Sequence, residues 1–257
     1  MSGSGLLPGG AQPPPGFEPW CYTLRGEQAW RHEVPGGLEA LKYWRALRDR
    51  HARTGLWPVL LGDDPMVVDQ LTWRLEMLAR STPGIPSIED APDIADLFDR
   101  WIGAVAEDGY LSDVPKHLAK LEQDGAAIGE RLLQRPDEAA VRAVAGATCT
   151  VALVPAEGGW EVPALLAWSG AERYDIEGPA HLAVLHYWHE VYGSDLVALG
   201  LERFECLVER PPSEAREVFE LAVQHYAYCP ALMDNLAPAL GALAATLYGR
   251  HWLFDWS

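Results

Sequence analysis

Three features of the sequence predict an α/β or α+β fold in which helices cover a mixed sheet. Short apolar runs bounded by turn residues, such as 56–61 and 195–200, have the length of strands. Longer segments between them carry apolar residues at helical spacing. Two helix-to-strand passages also resemble each other. Leu38, Leu41, Tyr43 and Trp44 match Leu182, Leu185, Tyr187 and Trp188 at an offset of 144, and Gly55, Leu61 and Gly62 match Gly193, Leu199 and Gly200 at 138. A third block, AWRHEVPG at 29–36, resembles AERYDIEG at 171–178. Two related helix–strand units joined by a helical bridge are therefore expected.

From the start of the chain, 1–16 is rich in Gly and Pro and is expected to be disordered. Residues 17–80 form the first α/β unit: strand and turn over 17–36, a helix over 38–53, a strand over 56–61 and a helix over 66–80. The bridge covers 81–145. It opens with the loop STPGIPSIEDAP, and Ile94, Leu97, Phe98, Trp101, Ile102 and Val105 then mark an amphipathic helix. Residues 115–145 are more weakly helical.

The second unit covers 146–257. TCTVALVPA and EVPALLAW are expected to pair as a hairpin about EGGW. A helix over 179–192 follows, with Pro179 in its first turn. Then come the strands DLVALG and FECLVE, and a helix ending at Tyr228 with Ser213 as its N-cap. A last helix spans 231–248, broken or started by Pro238. The tail HWLFDWS is expected to pack against the body of the protein.

The 257 residues carry 37 acids against 20 Lys and Arg, a formal charge of −17. The excess lies in the bridge, at −7, and in the second unit, at −10, while residues 1–80 balance. Such a field disfavours nucleic acid and anionic membranes and favours a basic partner. Cys21, Cys149, Cys206 and Cys229 are dispersed, without zinc or redox spacing, which suits a reduced, cytoplasmic protein. Neither a signal peptide nor a transmembrane run is evident.

LHYWHE at 185–190 raises the question of a metal site. At 100° per residue, with Leu185 at zero, Trp188 falls at 300° and Tyr192 at 340°, on the apolar face. His181 and His189 flank Leu185, whereas His186 and Glu190 lie towards the polar side. Lys42 and Arg45 replace His186 and His189 in the first unit, so the unit does not require imidazole. No metal and no cofactor are expected. Cys229 is the candidate nucleophile, with His225 four residues back. Its thiol would be activated at the start of the next helix and suppressed at the end of the previous one. Asp63, Asp64 and Asp234 are candidate carboxylates, although GDDP is also an ordinary turn before a helix.

VALVPA, LLAWSG, HLAVLHYWHEVYGSDLVALG, HYAYCP and the terminal HWLFDW together resemble the DUF4253 family, a bacterial family of unknown function. The resemblance covers 148–257 well and 30–62 loosely. It implies a Glu–His pair before the Cys–Pro and an acid after it. This chain has Gln224 before His225 and Ala231 after Pro230. The resemblance implies no reaction.

The function expected is that of a non-enzymatic binding protein whose acidic surface engages a basic protein, of a toxin-like or stress-related kind. The alternative is an enzyme or small-molecule binder. It would use a cleft between the units lined by Trp168, Trp188, His189, His225, Tyr226 and Cys229.

Overall fold

Both halves of the chain contribute to one open sheet. The computed structural model describes residues 12–80, 87–106, 111, 114–135, 140–237 and 239–257. Expectations for residues 1–11, the start of the loop at 81–86, parts of the bridge and Pro238 lie outside the described residues. Strands β1 (Glu18–Tyr22) and β2 (Gln28–Pro35) form a hairpin. Helix α1 (Leu38–Arg48), a short α2 (His51–Thr54) and strand β3 (Leu56–Gly62) follow. Helix α3 (Pro65–Leu78) starts at Asp64, whose side chain accepts the Met66 N–H at 2.9 Å. GDDP is thus the turn and cap that precede a helix.

Helices α4 (Ile94–Val105) and α5 (Val114–Leu133) make up the bridge. Strand β4 (Thr148–Pro155), the short α6 (Val162–Leu165) and α7 (Gly178–Tyr192) come next. The hairpin of β5 (Ser194–Leu199) and β6 (Arg203–Val208) leads to α8 (Ala215–Tyr228), α9 (Leu232–Asn235), α10 (Leu240–Thr246) and β7 (His251–Asp255). The strand order is β1-β2-β4-β3-β5-β6-β7. Every neighbouring pair is antiparallel except β3 and β5, which run parallel. β4 therefore lies between two strands of the N-terminal half, and the halves share one sheet and one core.

The Tyr–Trp segments occupy equivalent settings. Each lies on a helix whose Trp is buried, Trp44 on α1 and Trp188 on α7. Gly55 (φ 65°) and Gly193 (φ 63°) stop the passage in the left-handed region that a glycine adopts without steric cost. β3 and β5 then enter the sheet side by side, with Leu60 opposite Ala198, a separation of 138 residues. The offset found in the sequence is thus the register of the parallel pair. Trp44 Nε1 donates to the Pro58 carbonyl at 2.9 Å, and Trp57 Nε1 donates to that of Leu196 at 3.0 Å. These bonds tie the first helix to its strand and that strand to its neighbour.

Four expectations are corrected. The third matching block does not share a shape, since 29–36 lies mostly in β2 whereas 171–178 is a 3-10 turn and loop. EVPALLAW is not a strand: a 3-10 turn (Gly159–Glu161) leads into α6. β4 already has β2 and β3 on its two edges, and Pro163 has no N–H to pair. The last helix is two short ones, α9 and α10. The N-cap of α8 is Glu214 rather than Ser213. Leu38 and Val191, each near a helix end, are exposed. Among the described residues no helix is long and apolar enough to cross a membrane.

Candidate functional site

Five of the six residues singled out from sequence lie in the core. Trp168, Trp188, His225, Tyr226 and Cys229 are all buried. Trp188 lies 4.6 Å from the His225 ring and stacks on Phe254 at 5.2 Å. Its Nε1 donates to Gln224 Oε1 at 3.4 Å, so Gln224 supports the indole. Trp168 Nε1 donates to the Gly200 carbonyl at 2.7 Å. The result is a wall of rings from α7, α8, β6 and β7.

Burial sets the ionisation of the titratable groups here. His181 and His225 are both pushed down to about 3 by desolvation, so both are neutral at physiological pH. His181 Nδ1 pairs with the Tyr228 hydroxyl at 2.5 Å. Cys229 ends α8, its N–H donating to the His225 carbonyl. Burial first, and the nearby Asp255 charge as well, push its thiol well above the usual range. The thiol donates to the Asp255 carbonyl at 3.5 Å. A group sealed and protonated in this way is a poor nucleophile.

His189 stands apart, at the amino-terminal end of β5. Its Nδ1 pairs with Asp195 Oδ1 at 3.1 Å, and Arg48 Nε donates to the other carboxylate oxygen at 2.8 Å. Trp160 covers the imidazole at 4.5 Å, and the Arg48 guanidinium lies over Trp57 at 4.8 Å. His189 thus joins α1 to α7 and β5 instead of lining a cleft with the other five. His186 packs edge-on against Trp160 at 5.2 Å, and Glu190 is exposed. Among the described residues no three His, Cys, Asp or Glu side chains are grouped as metal ligands would be.

A cleft between the two units does exist, at the carboxyl ends of β3 and β5 and with a different lining. It measures about 270 Å³ and is bounded by Gly62, Asp63 and Asp64 after β3 and by Gly200, Glu202 and Arg203 after β5. Open α/β sheets place ligands outside the carboxyl ends of their strands. Five carboxylates line it, those of Asp63, Asp64, Glu202, Glu205 and Asp255, against the guanidinium groups of Arg142 and Arg203. Glu205, only 1% exposed, holds the floor. It accepts the N–H groups of Arg142 (2.7 Å) and Ala143 (2.9 Å) and pairs with His251 Nε2 at 2.7 Å. That carboxylate fixes the 3-10 turn Arg142–Val144 against β6. Asp255 faces Arg142 at 3.8 Å and Glu202 faces Arg173 at 3.7 Å. Asp63 is exposed at the rim. Of this lining, Asp63 and Asp64 were candidate carboxylates in the sequence. The signal it held was the matched pair Gly62 and Gly200, which end parallel neighbours.

The segment from β4 to the C-terminus matches a family model, described as a domain of unknown function (DUF4253), over residues 150–257. Residues 150–257, under half of the chain, are thus similar to that family. Comparison with curated proteins and with solved structures found no match. The matched segment supplies both the ring-lined core and one side of the cleft, through Gly200, Glu202, Arg203, Glu205 and Asp255. The other side, Gly62 to Asp64, comes from the segment before it. β3 of the preceding segment stands between β4 and β5, so the sheet of the matched segment is continuous only with the N-terminal half in place.

Proposed function

We propose that the protein is a non-enzymatic binding protein for a basic polypeptide, and that the cleft after β3 and β5 receives an arginine or lysine side chain of that partner. The observation that carries this reading is the cleft itself, which five acidic residues and two arginines line at the carboxyl ends of β3 and β5, the parallel pair among the described strands. A cation entering there meets an excess of negative charge from the lining and from a chain of net charge −17. The planar guanidinium suits such a site, because its donors can bridge two carboxylates at once. The most reactive-looking side chains, Cys229 and His225, are buried and do not line it, which favours binding over chemistry. Four free, buried thiols suit a reduced, cytoplasmic setting for this protein.

Isothermal titration with hexa-arginine tests the reading. Binding is expected at low ionic strength and is expected to weaken as the screening length shrinks from about 30 Å at 0.01 M to about 8 Å at 0.15 M. The double variant Asp63→Asn, Glu202→Gln is expected to bind at least about fivefold more weakly. Equal affinity of the variant, or no heat of binding at low salt, would reject the cleft as the basic-ligand site.

A further inference from the structure

Helix α3 carries a feature unlike the rest of the surface. Trp73, Met66 and Met77 are 60%, 58% and 46% exposed, whereas the other large side chains of this helix turn inward. At 100° per residue the three lie within about 40° of one another, a single stripe along the outer face. Asp69 and Glu76, both exposed, run along one side of the stripe. The one base within α3, Arg74, is folded back. Its Nε donates to the Ala167 carbonyl at 2.7 Å and its Nη2 pairs with Glu172. Within α3 the face therefore offers large apolar side chains and carboxylates, and the exposed Arg80 stands just beyond its carboxyl end. The amino-terminal end of the helix opens on the cleft, which Asp64 and Val67 line.

We infer that this face docks a basic amphipathic helix of the partner, whose apolar side covers Met66, Trp73 and Met77 and whose cations meet Asp69 and Glu76. The inference deepens the reading of a basic partner and rests on it. Charge complementarity selects this occupant over a second copy of the chain, since two copies would each bring a charge of −17 and the same two carboxylates. Area selects it too. The three exposed side chains present on the order of 300 Å² of surface, whereas a stable protein pair buries about 800 Å² on each side. A helix matched to the 14 residues of α3 can cover such a stripe and still reach the cleft with one cation.

The test is titration of the intact protein with a Leu/Lys amphipathic peptide of 14 residues, the length of α3, alongside hexa-arginine. The variant Trp73→Ser, Met77→Ser alters exposed positions only, and an unchanged melting temperature checks that it folds. It is expected to lose at least about tenfold in affinity for the Leu/Lys peptide while binding hexa-arginine like the wild type. Asp69→Lys, Glu76→Lys is expected to shift preference towards a Leu/Glu peptide. Unchanged Leu/Lys affinity in the serine variant would overturn the docking face. So would a dimer seen by sedimentation, or binding to phosphatidylcholine vesicles, that the serine variant abolishes. Loss of hexa-arginine binding in the cleft variant leaves the α3 result standing, so the two readings fail separately.

Discussion

Acid is expected to unfold this protein through two histidines that the fold keeps neutral. His181 and His225 are buried among rings, and burial pushes both down to about 3. In the unfolded chain each returns to about 6.5. Above that value neither state carries the proton, and the histidines do not affect stability. Below it the unfolded chain takes up protons that the folded one refuses, so stability falls as pH drops from about 6.5 towards about 3. At pH 5 the loss is about 2 kcal/mol for each histidine, and about 4 kcal/mol for the pair. That is a large share of the roughly 5–15 kcal/mol that holds a typical domain together. Urea denaturation at pH 7.5 and pH 5.0, followed by tryptophan fluorescence, measures it. The variant His181→Asn, His225→Phe keeps a polar side chain near Tyr228 and a ring beside Trp188. It is expected to be less stable at pH 7.5 but to lose about 4 kcal/mol less on acidification. The six other histidines and the carboxylates contribute equally to both proteins and cancel. A double variant with the pH dependence of the wild type would refute the assignment of neutral, buried imidazoles.

Trp44→Ala removes the indole that holds α1 on β3 and is expected to cost about 3–5 kcal/mol in chemical denaturation, whereas exposed Leu38→Ala costs under about 1 kcal/mol. Cys229 is expected to resist Ellman's reagent at neutral pH until denaturant is added. Rapid labelling of the native protein, lost in Cys229→Ser, would show an accessible thiolate. Glu205→Gln puts an amide where three donors converge and is expected to destabilise by about 2–3 kcal/mol in urea titration. Residues 148–257 expressed alone lack β3 between β4 and β5, and circular dichroism is expected to show no cooperative melt.

The elements that were legible in the sequence are those with strong periodicity. α4 has the span its apolar residues mark, 94–105, and the turn at Gly193 is the glycine that the pattern placed after α7. The parallel pair was present as a numerical offset, because residues matched at 138 stand side by side in the sheet. What the sequence could not show is competition for strand edges. EVPALLAW has strand composition, yet β4 had no free edge to offer it. The site was hidden for a related reason. Trp188, His225 and Cys229 look reactive as letters, and only the surrounding rings reveal that they are packing. Glu205, Glu202 and Asp255 are unremarkable acids in a chain that carries 37 of them, and only the sheet order brings them to Asp63.

The molecule has a sealed aromatic core and an acidic cleft, and the cleft is the proposed binding site. Amide chemical-shift mapping with hexa-arginine on the isotope-labelled protein tests that division most directly. The predicted result is a set of perturbations at Asp63, Glu202, Arg203 and Asp255, with the amides of Trp188, His225 and Cys229 unmoved. The largest shifts at those three core residues, with the cleft silent, would contradict it.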